Sequence, residues 1–108
     1  MNWQVEFNGA DLEPSHADWH YHTGGGGFGN NEKQFYTDRR TENARIEDGN
    51  LVIEARLEDY QSSRFTSAKL TTQGIRAWKY GRFEIRAKLP EGRGTWPAIW
   101  MLPTENVY

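Results

Sequence analysis

The sequence contains no cysteine. That excludes a disulfide framework and a cysteine-based metal site, and thiol usage says nothing about compartment. It has no apolar run approaching the ~18 residues of a membrane-crossing helix. It has no basic stripe: 13 Lys and Arg are scattered among 15 Asp and Glu, the formal net charge is −2, and Arg39-Arg40 is the longest basic run. A nucleic acid partner and an electrostatically held membrane surface are both disfavoured by that pattern. No apolar segment follows Met1, so no leader is legible. Helical periodicity is lacking too, and Asp11 to Trp19 has room for one short turn at most.

Apolar residues amount to only 36% of the 108 residues, so a single modest core is the most such a chain builds. Much of its bulk is aromatic, with five each of Trp, Tyr and Phe. Such side chains fill cores and also line carbohydrate and peptide clefts.

The remaining pattern is β. Asn50 to Glu58 alternates, with Leu51, Ile53, Ala55 and Leu57 on one side and Val52, Glu54, Arg56 and Glu58 on the other, which predicts one half-buried strand. Asp48-Gly49-Asn50 predicts a hairpin turn after a short strand, Ala44 to Glu47. Thr66 to Thr72 alternates weakly. Gly81 to Leu89 alternates well, with Phe83, Ile85, Ala87 and Leu89 inward, and Pro90-Glu91-Gly92 closes it. Trp3 to Phe7 also alternates. Regular strand–turn spacing predicts an all-β antiparallel sandwich.

Several constellations suggest chemistry. Gly24 to Gly29 contains G-x-G-x-x-G, but loop and strand follow it. A phosphate site needs a helix there, so a close-packed loop is expected. His16, His20 and His22 have spacing a metal could use, against surface histidines stacked around Trp19 and Tyr21. Glu54 and Glu58 share a strand face, yet four strand residues span about 13 Å. A retaining glycosidase needs its carboxyls about 5–5.5 Å apart. Arg56 between them predicts ion pairs on a solvated face, and Glu84 with Arg82, Arg86 and Lys88 is read the same way. Trp96 and Trp100 lie four apart around Pro97, which bars a regular central strand. They are either core residues or two indole faces offered to one ligand.

Together these segments resemble the laminarinase-like endo-β-1,3-glucanases of glycoside hydrolase family sixteen. The blocks that carry the resemblance are Glu6-Phe7-Asn8-Gly9, Gly27 to Thr37, Asp48 to Arg56, Tyr80 to Pro90 and Gly94 to Pro103. The resemblance implies a jelly roll of two antiparallel sheets, of which residues 1–108 form the N-terminal portion, about half of the fold. It implies a retaining endo-hydrolase of laminarin-type β-1,3 or mixed β-1,3-1,4 glucan, met outside the cell. Trp96 and Trp100 would be sugar-stacking walls, Asn31 a cleft-lining residue, and Glu32 a residue orienting Asn31 or its neighbours. A structural calcium would take the Glu6 carboxylate and the Gly49 carbonyl as ligands; no cofactor is implied for catalysis.

Two departures are mild: Phe28 stands where the family has Trp, and Lys69 where many members have Arg. The third is larger. Neither Glu-x-Asp-x-x-Glu nor Glu-x-Asp-x-Glu, the family's catalytic strand, occurs in the 108 residues. No catalytic residue is therefore assigned, and the strand is expected beyond Tyr108. The expected partners are a β-glucan and either the rest of the domain or a second copy of the chain. The alternative is a non-catalytic glucan-binding half-fold, self-associated as a dimer.

Overall fold

The structure, a computed structural model, describes residues 2–10 and 12–105. Asp11, where the expected short turn begins, and Tyr108 lie outside the described residues. The chain divides into two units, residues 1–76 and 77–108.

The first unit is built of short strands. β1 (His20–His22) pairs antiparallel with β7 (Lys69–Thr71). β2 (Gln34–Tyr36), β6 (Ser63–Ser67) and β5 (Arg56–Tyr60) form a three-stranded sheet in that order. β3 (Ala44–Glu47) and β4 (Asn50–Ile53) form a hairpin with Glu47 opposite Asn50. Asp48 (φ 51°) and Gly49 (φ 74°) are the two loop residues, both left-handed as a type I′ turn requires. The all-β expectation holds, and so does this hairpin. One pairing departs from an all-antiparallel sandwich: β2 and β6 run parallel, Gln34 opposite Phe65. The long excursion through β3, β4 and β5 between them permits this, since parallel neighbours need a crossover rather than a tight turn.

The strand expected over Asn50 to Glu58 is two strands in two sheets. It breaks at Glu54, whose N–H donates to the Asn43 carbonyl at 2.8 Å and whose carbonyl accepts from Asn43 Nδ2 at 3.1 Å. The expected inward face is lost with the break: Ile53, Ala55 and Leu57 are exposed. Thr66 to Thr72 likewise divides, at buried Ala68, between β6 and β7. Trp3 to Phe7 is not a strand, although its burial alternates, with Trp3, Val5 and Phe7 half-buried. Trp3 packs edge-on against Trp19 with ring centroids 6.0 Å apart. The short turn is present: Ser15 accepts from the N–H groups of Asp18 and Trp19.

The apolar core is small, comprising Tyr21, Ala44 and Ala68 with Leu70 against them. The polar core is what joins the sheets. Asn43 is fully buried. Its Oδ1 accepts from Thr37 Oγ1 at 2.8 Å and from Arg40 Nη1 at 3.3 Å. Its Nδ2 donates to Thr66 Oγ1 at 2.9 Å as well as to the Glu54 carbonyl. Thr66 donates in turn to Glu58, which Arg40 grips at 2.8 and 3.4 Å. Every polar atom of the Asn43 amide is used, which is the condition under which buried polar groups stabilise.

The second unit has no strand among its described residues. Phe83, Ile85 and Leu89 are exposed, not inward as expected. Alternation makes a strand only when a neighbour takes its N–H and C=O groups, and no described residue of the unit does so. Arg82 and Glu84 form the expected ion pair.

Two outcomes follow. Asn43→Ala should cost about 2–4 kcal/mol, since it strands buried partners worth about 1–3 kcal/mol each; chemical denaturation of the chain followed by circular dichroism measures it. Arg40 first, then the Thr66 hydroxyl, holds the Glu58 carboxyl below its ordinary pKa. A depressed carboxyl contributes stability that is present above its unfolded value of about 4.3 and lost as pH falls through the folded value. Glu58→Gln should therefore flatten the acid limb of the stability–pH curve, with little change in its slope near neutral pH.

Candidate functional site

The glycine-rich segment is a tightly wound loop. Gly24 exchanges backbone hydrogen bonds with Tyr36 at 3.0 and 2.8 Å, tying the loop entrance to β2. Gly26, Gly27, Phe28, Gly29 and Asn31 then all take left-handed φ values of 48–90°. Glycine adopts such angles without cost; Phe28 and Asn31 do so against a steric penalty. A single 3₁₀ turn, Gly27–Gly29, stands where a dinucleotide site would need a helix, and β2 follows it. Gly25 is required for close approach: a Cβ there would lie 3.0 Å from the Phe35 ring and 3.4 Å from Ser63 Oγ.

The loop closes over a connected polar and aromatic cluster. Glu32 Oε1 accepts from Gln34 Nε2 at 2.8 Å and from the Tyr36 hydroxyl at 2.9 Å. Phe28 meets Tyr36 edge-on, with ring centroids 5.0 Å apart. Lys69 Nζ stands 5.2 Å from the Phe28 centroid and 5.9 Å from that of Tyr36, within cation–π range of both. The two mild departures from the family pattern, Phe28 and Lys69, therefore lie against each other. Burial pushes the Glu32 carboxyl up, but hydrogen bonds from Tyr36, Gln34 and Asn30, with the Lys69 charge, outweigh it and hold its pKa below the ordinary value. Burial, then the bond to Glu32, raises the Tyr36 phenol.

Asn31 and Glu32 lie on one side of a shallow groove of about 410 Å³. The other side is the turn from β5 into β6, with Ser63, Arg64 and Phe65. Gln61 (φ 44°) and Ser62 (φ 67°) make this turn, both left-handed and neither glycine. Sequence reasoning missed it because Gln-Ser is not a hairpin signature. Glu32 hydrogen-bonds to Gln34 and Tyr36, and Asn30 supports it, so it organises Asn31's neighbours.

Trp96 and Trp100 belong to the second unit. Thr95 folds back on the Gly92 carbonyl, its hydroxyl donating at 2.8 Å. Trp96 follows at 73% exposure and Trp100 lies at 60%. Ile99, Met101 and Leu102 are exposed as well, so the whole segment, not only the indoles, faces outward. Neither tryptophan is a core residue.

The other candidates resolve simply. Glu54 pairs with Arg45 at 2.8 Å and Arg56 at 3.2 Å, and Glu58 with Arg40, as the ion-pair expectation required. His22 Nε2 lies 2.9 Å from Gln73 Oε1, and Arg39 Nη1 lies 3.0 Å from His16 Nε2. No group of three or more His, Cys, Asp or Glu side chains is placed to hold a metal among the described residues. The Gly49 turn lies against the residues that follow Glu6: a Cβ on Gly49 would stand 3.8 Å from Asn8 Oδ1 and 4.0 Å from the Phe7 carbonyl. Glu6 is exposed and accepts from Gln4 Nε2 at 2.7 Å.

Tyr36→Phe should raise the Glu32 pKa, because it removes a hydrogen bond made to the ionised form. A carboxyl-carbon NMR titration of the two proteins reads the shift directly.

The sequence profile of glycosyl hydrolases family 16 matches residues 6–107. A beta-glucanase of Rhodothermus marinus is 56% identical over 98% of this chain and 37% of its own length. A glucan endo-1,3-beta-glucosidase of Cryptopygus antarcticus is 45% identical over 100% of this chain and 40% of its own. The X-ray structure of the laminarinase from Rhodothermus marinus superimposes with a TM-score of 0.94 at 56% identity, over 99% of this chain and 42% of that one. The chain thus spans about two-fifths of the length of these relatives.

Proposed function

The chain belongs to glycosyl hydrolases family 16, and from that membership we propose that it supplies one wall of a β-glucan-binding cleft and not the catalytic carboxylates. The substrate would be an internal stretch of laminarin-type β-1,3 or mixed β-1,3-1,4 glucan. The observation that carries this reading is the 56% identity to a beta-glucanase over 98% of the chain, with Trp96 and Trp100 at 73% and 60% exposure. Large exposed aromatics are rare without a ligand or partner to cover them. Stacked indole faces suit the apolar faces of glucose rings, and Asn31 adds a directional amide.

Cleavage with retention needs two carboxyl groups about 5–5.5 Å apart, one attacking the anomeric carbon and one protonating the departing oxygen. A covalent glycosyl-enzyme then forms and is hydrolysed. No described carboxylate pair answers to this: Glu54 and Glu58 are committed to arginines and Glu32 to Tyr36 and Gln34. The carboxylates would come from polypeptide outside residues 1–108. The exposed Phe83, Ile85, Leu89 and Ile99 are the surface it would cover. A second copy of the chain covering that surface, without catalysis, is the competing arrangement. A polymeric glucan is met outside the cell, where we place the protein.

A calcium would take the Glu6 carboxylate and the Gly49 carbonyl. Those donors, with the neighbouring Asn8 and Phe7 oxygens, are all hard oxygen ligands of the kind calcium accepts. Its role would be to pin the Gly49 turn to the N-terminal segment. Calcium should then raise the melting temperature of the chain and EDTA reverse it, with Glu6→Gln abolishing the response.

In pull-downs on insoluble β-1,3-glucan, the 108-residue chain should bind and release no reducing sugar. Trp96→Ala and Trp100→Ala should each weaken binding by about tenfold, the equivalent of ~1.4 kcal/mol. Enzyme-like sugar release by the chain alone would contradict the assignment of the carboxylates elsewhere.

A further inference from the structure

We infer that the groove between the glycine-rich loop and the β5–β6 turn is a further glucose-binding subsite, with Phe65 as its stacking face and Arg64, Lys33 and Ser63 as hydrogen-bonding partners. The inference rests on the β-glucan reading above and extends it to residues that neither the family motif blocks nor the tryptophan segment contains.

Four observations converge on it. First, the groove, at about 410 Å³, is within the range of small-ligand sites, and it is shallow and open as a chain-like ligand requires. Second, Phe65 is 40% exposed on strand β6, at a position paired with Gln34 of β2 and Leu57 of β5. A phenyl face presented from a paired strand is a rigid platform rather than a loop ornament. Third, Arg64 stands apart from its peers. Arg39, Arg40, Arg45, Arg56 and Arg76 of the first unit each pair with a carboxylate, and Arg64 alone forms no ion pair among the described residues. Fourth, both rims are held in costly conformations. Gln61 and Ser62 are left-handed without being glycine, and so are Phe28 and Asn31 opposite. Such conformations persist where surrounding structure enforces them, and they cluster at ligand sites. Gly25, packed within 3.0 Å of where a Cβ would meet Phe35, shows how tightly the loop is set against this hairpin.

The chemistry of the lining selects the ligand class. An aromatic face bordered by a guanidinium, an ammonium, a hydroxyl and the Asn31 amide offers stacking together with several hydrogen-bond donors. The Glu32 carboxylate supplies an acceptor, and Tyr36 and Gln34 already hold it in place. That mixture fits a neutral polyhydroxylated ring, which has an apolar face and both donors and acceptors at its rim.

The test is isothermal titration calorimetry of the 108-residue chain with a β-1,3-linked glucose trisaccharide and hexasaccharide. The hexasaccharide should bind more tightly than the trisaccharide, because it can reach one more subsite. Phe65→Ala and Arg64→Gln should each remove roughly three- to tenfold of that gain. Arg64→Gln changes only an exposed side chain, so it keeps the test valid if Phe65→Ala unfolds. Trp96→Ala serves as the control for the parent reading. If Trp96→Ala weakens binding while Arg64→Gln and Phe65→Ala leave the length-dependent gain intact, the subsite is refuted and the glucan reading stands. If neither oligosaccharide binds the unaltered chain, the glucan reading fails and the subsite with it. Hexasaccharide binding that collapses with added salt would mark an anion site and overturn the proposal.

Discussion

The buried amide of Asn43 is the constraint on which the first unit depends. The apolar core beside it is only Tyr21, Ala44 and Ala68, too little to orient three small sheets. Asn43 instead bonds to Thr37 just after β2, to Thr66 within β6, to Arg40 before β3, and to Glu54 just after β4. A hydrogen-bonded hub specifies direction as well as proximity, which apolar contact does not. It also decides where the chain turns. By taking both the N–H and the carbonyl of Glu54, Asn43 ends the β3–β4 ladder and sends the chain into a different sheet at Arg56.

From that hub the site follows in sequence. Thr66 is fixed by Asn43, so β6 is fixed, and with it Ser63 to Phe65 on the far side of the groove. β2 lies alongside in parallel register, and from it Tyr36 reaches back to Glu32 and stacks on Phe28. The glycine-rich loop is thus anchored through Tyr36 at its entrance, its exit and its aromatic tip. This explains why a segment so rich in glycine forms a defined surface. Lys69, on the strand that continues from β6 past Ala68, completes the arrangement from below as a cation over both rings.

How much of this was legible in the sequence differs from element to element. The Asp48-Gly49 turn was, because the residue types demanded by two left-handed positions are few. The Gln61-Ser62 turn was not, because nothing in those residues announces it; strand pairing imposes the conformation. The strand over Asn50 to Glu58 was read as one because alternation reports which faces differ and not which sheet a segment joins. A buried asparagine several residues away made that choice. Phe83 to Leu89 shows the reverse: a perfect alternation remains unpaired among the described residues. Of the site, Asn31, Glu32, Trp96 and Trp100 were legible through family resemblance, whereas Arg64 and Phe65 emerged only when the hairpin brought them opposite the glycine-rich loop.

The central claim is that this chain recognises β-glucan without cleaving it. It is tested most directly by following a β-1,3-glucose hexasaccharide and the chain in one NMR sample. The account predicts shifts of the Trp96 and Trp100 indole N–H signals on titration, with the anomeric signals of the sugar unchanged over days. New reducing-end anomeric signals, or indole signals that do not respond to saturating sugar, would contradict it.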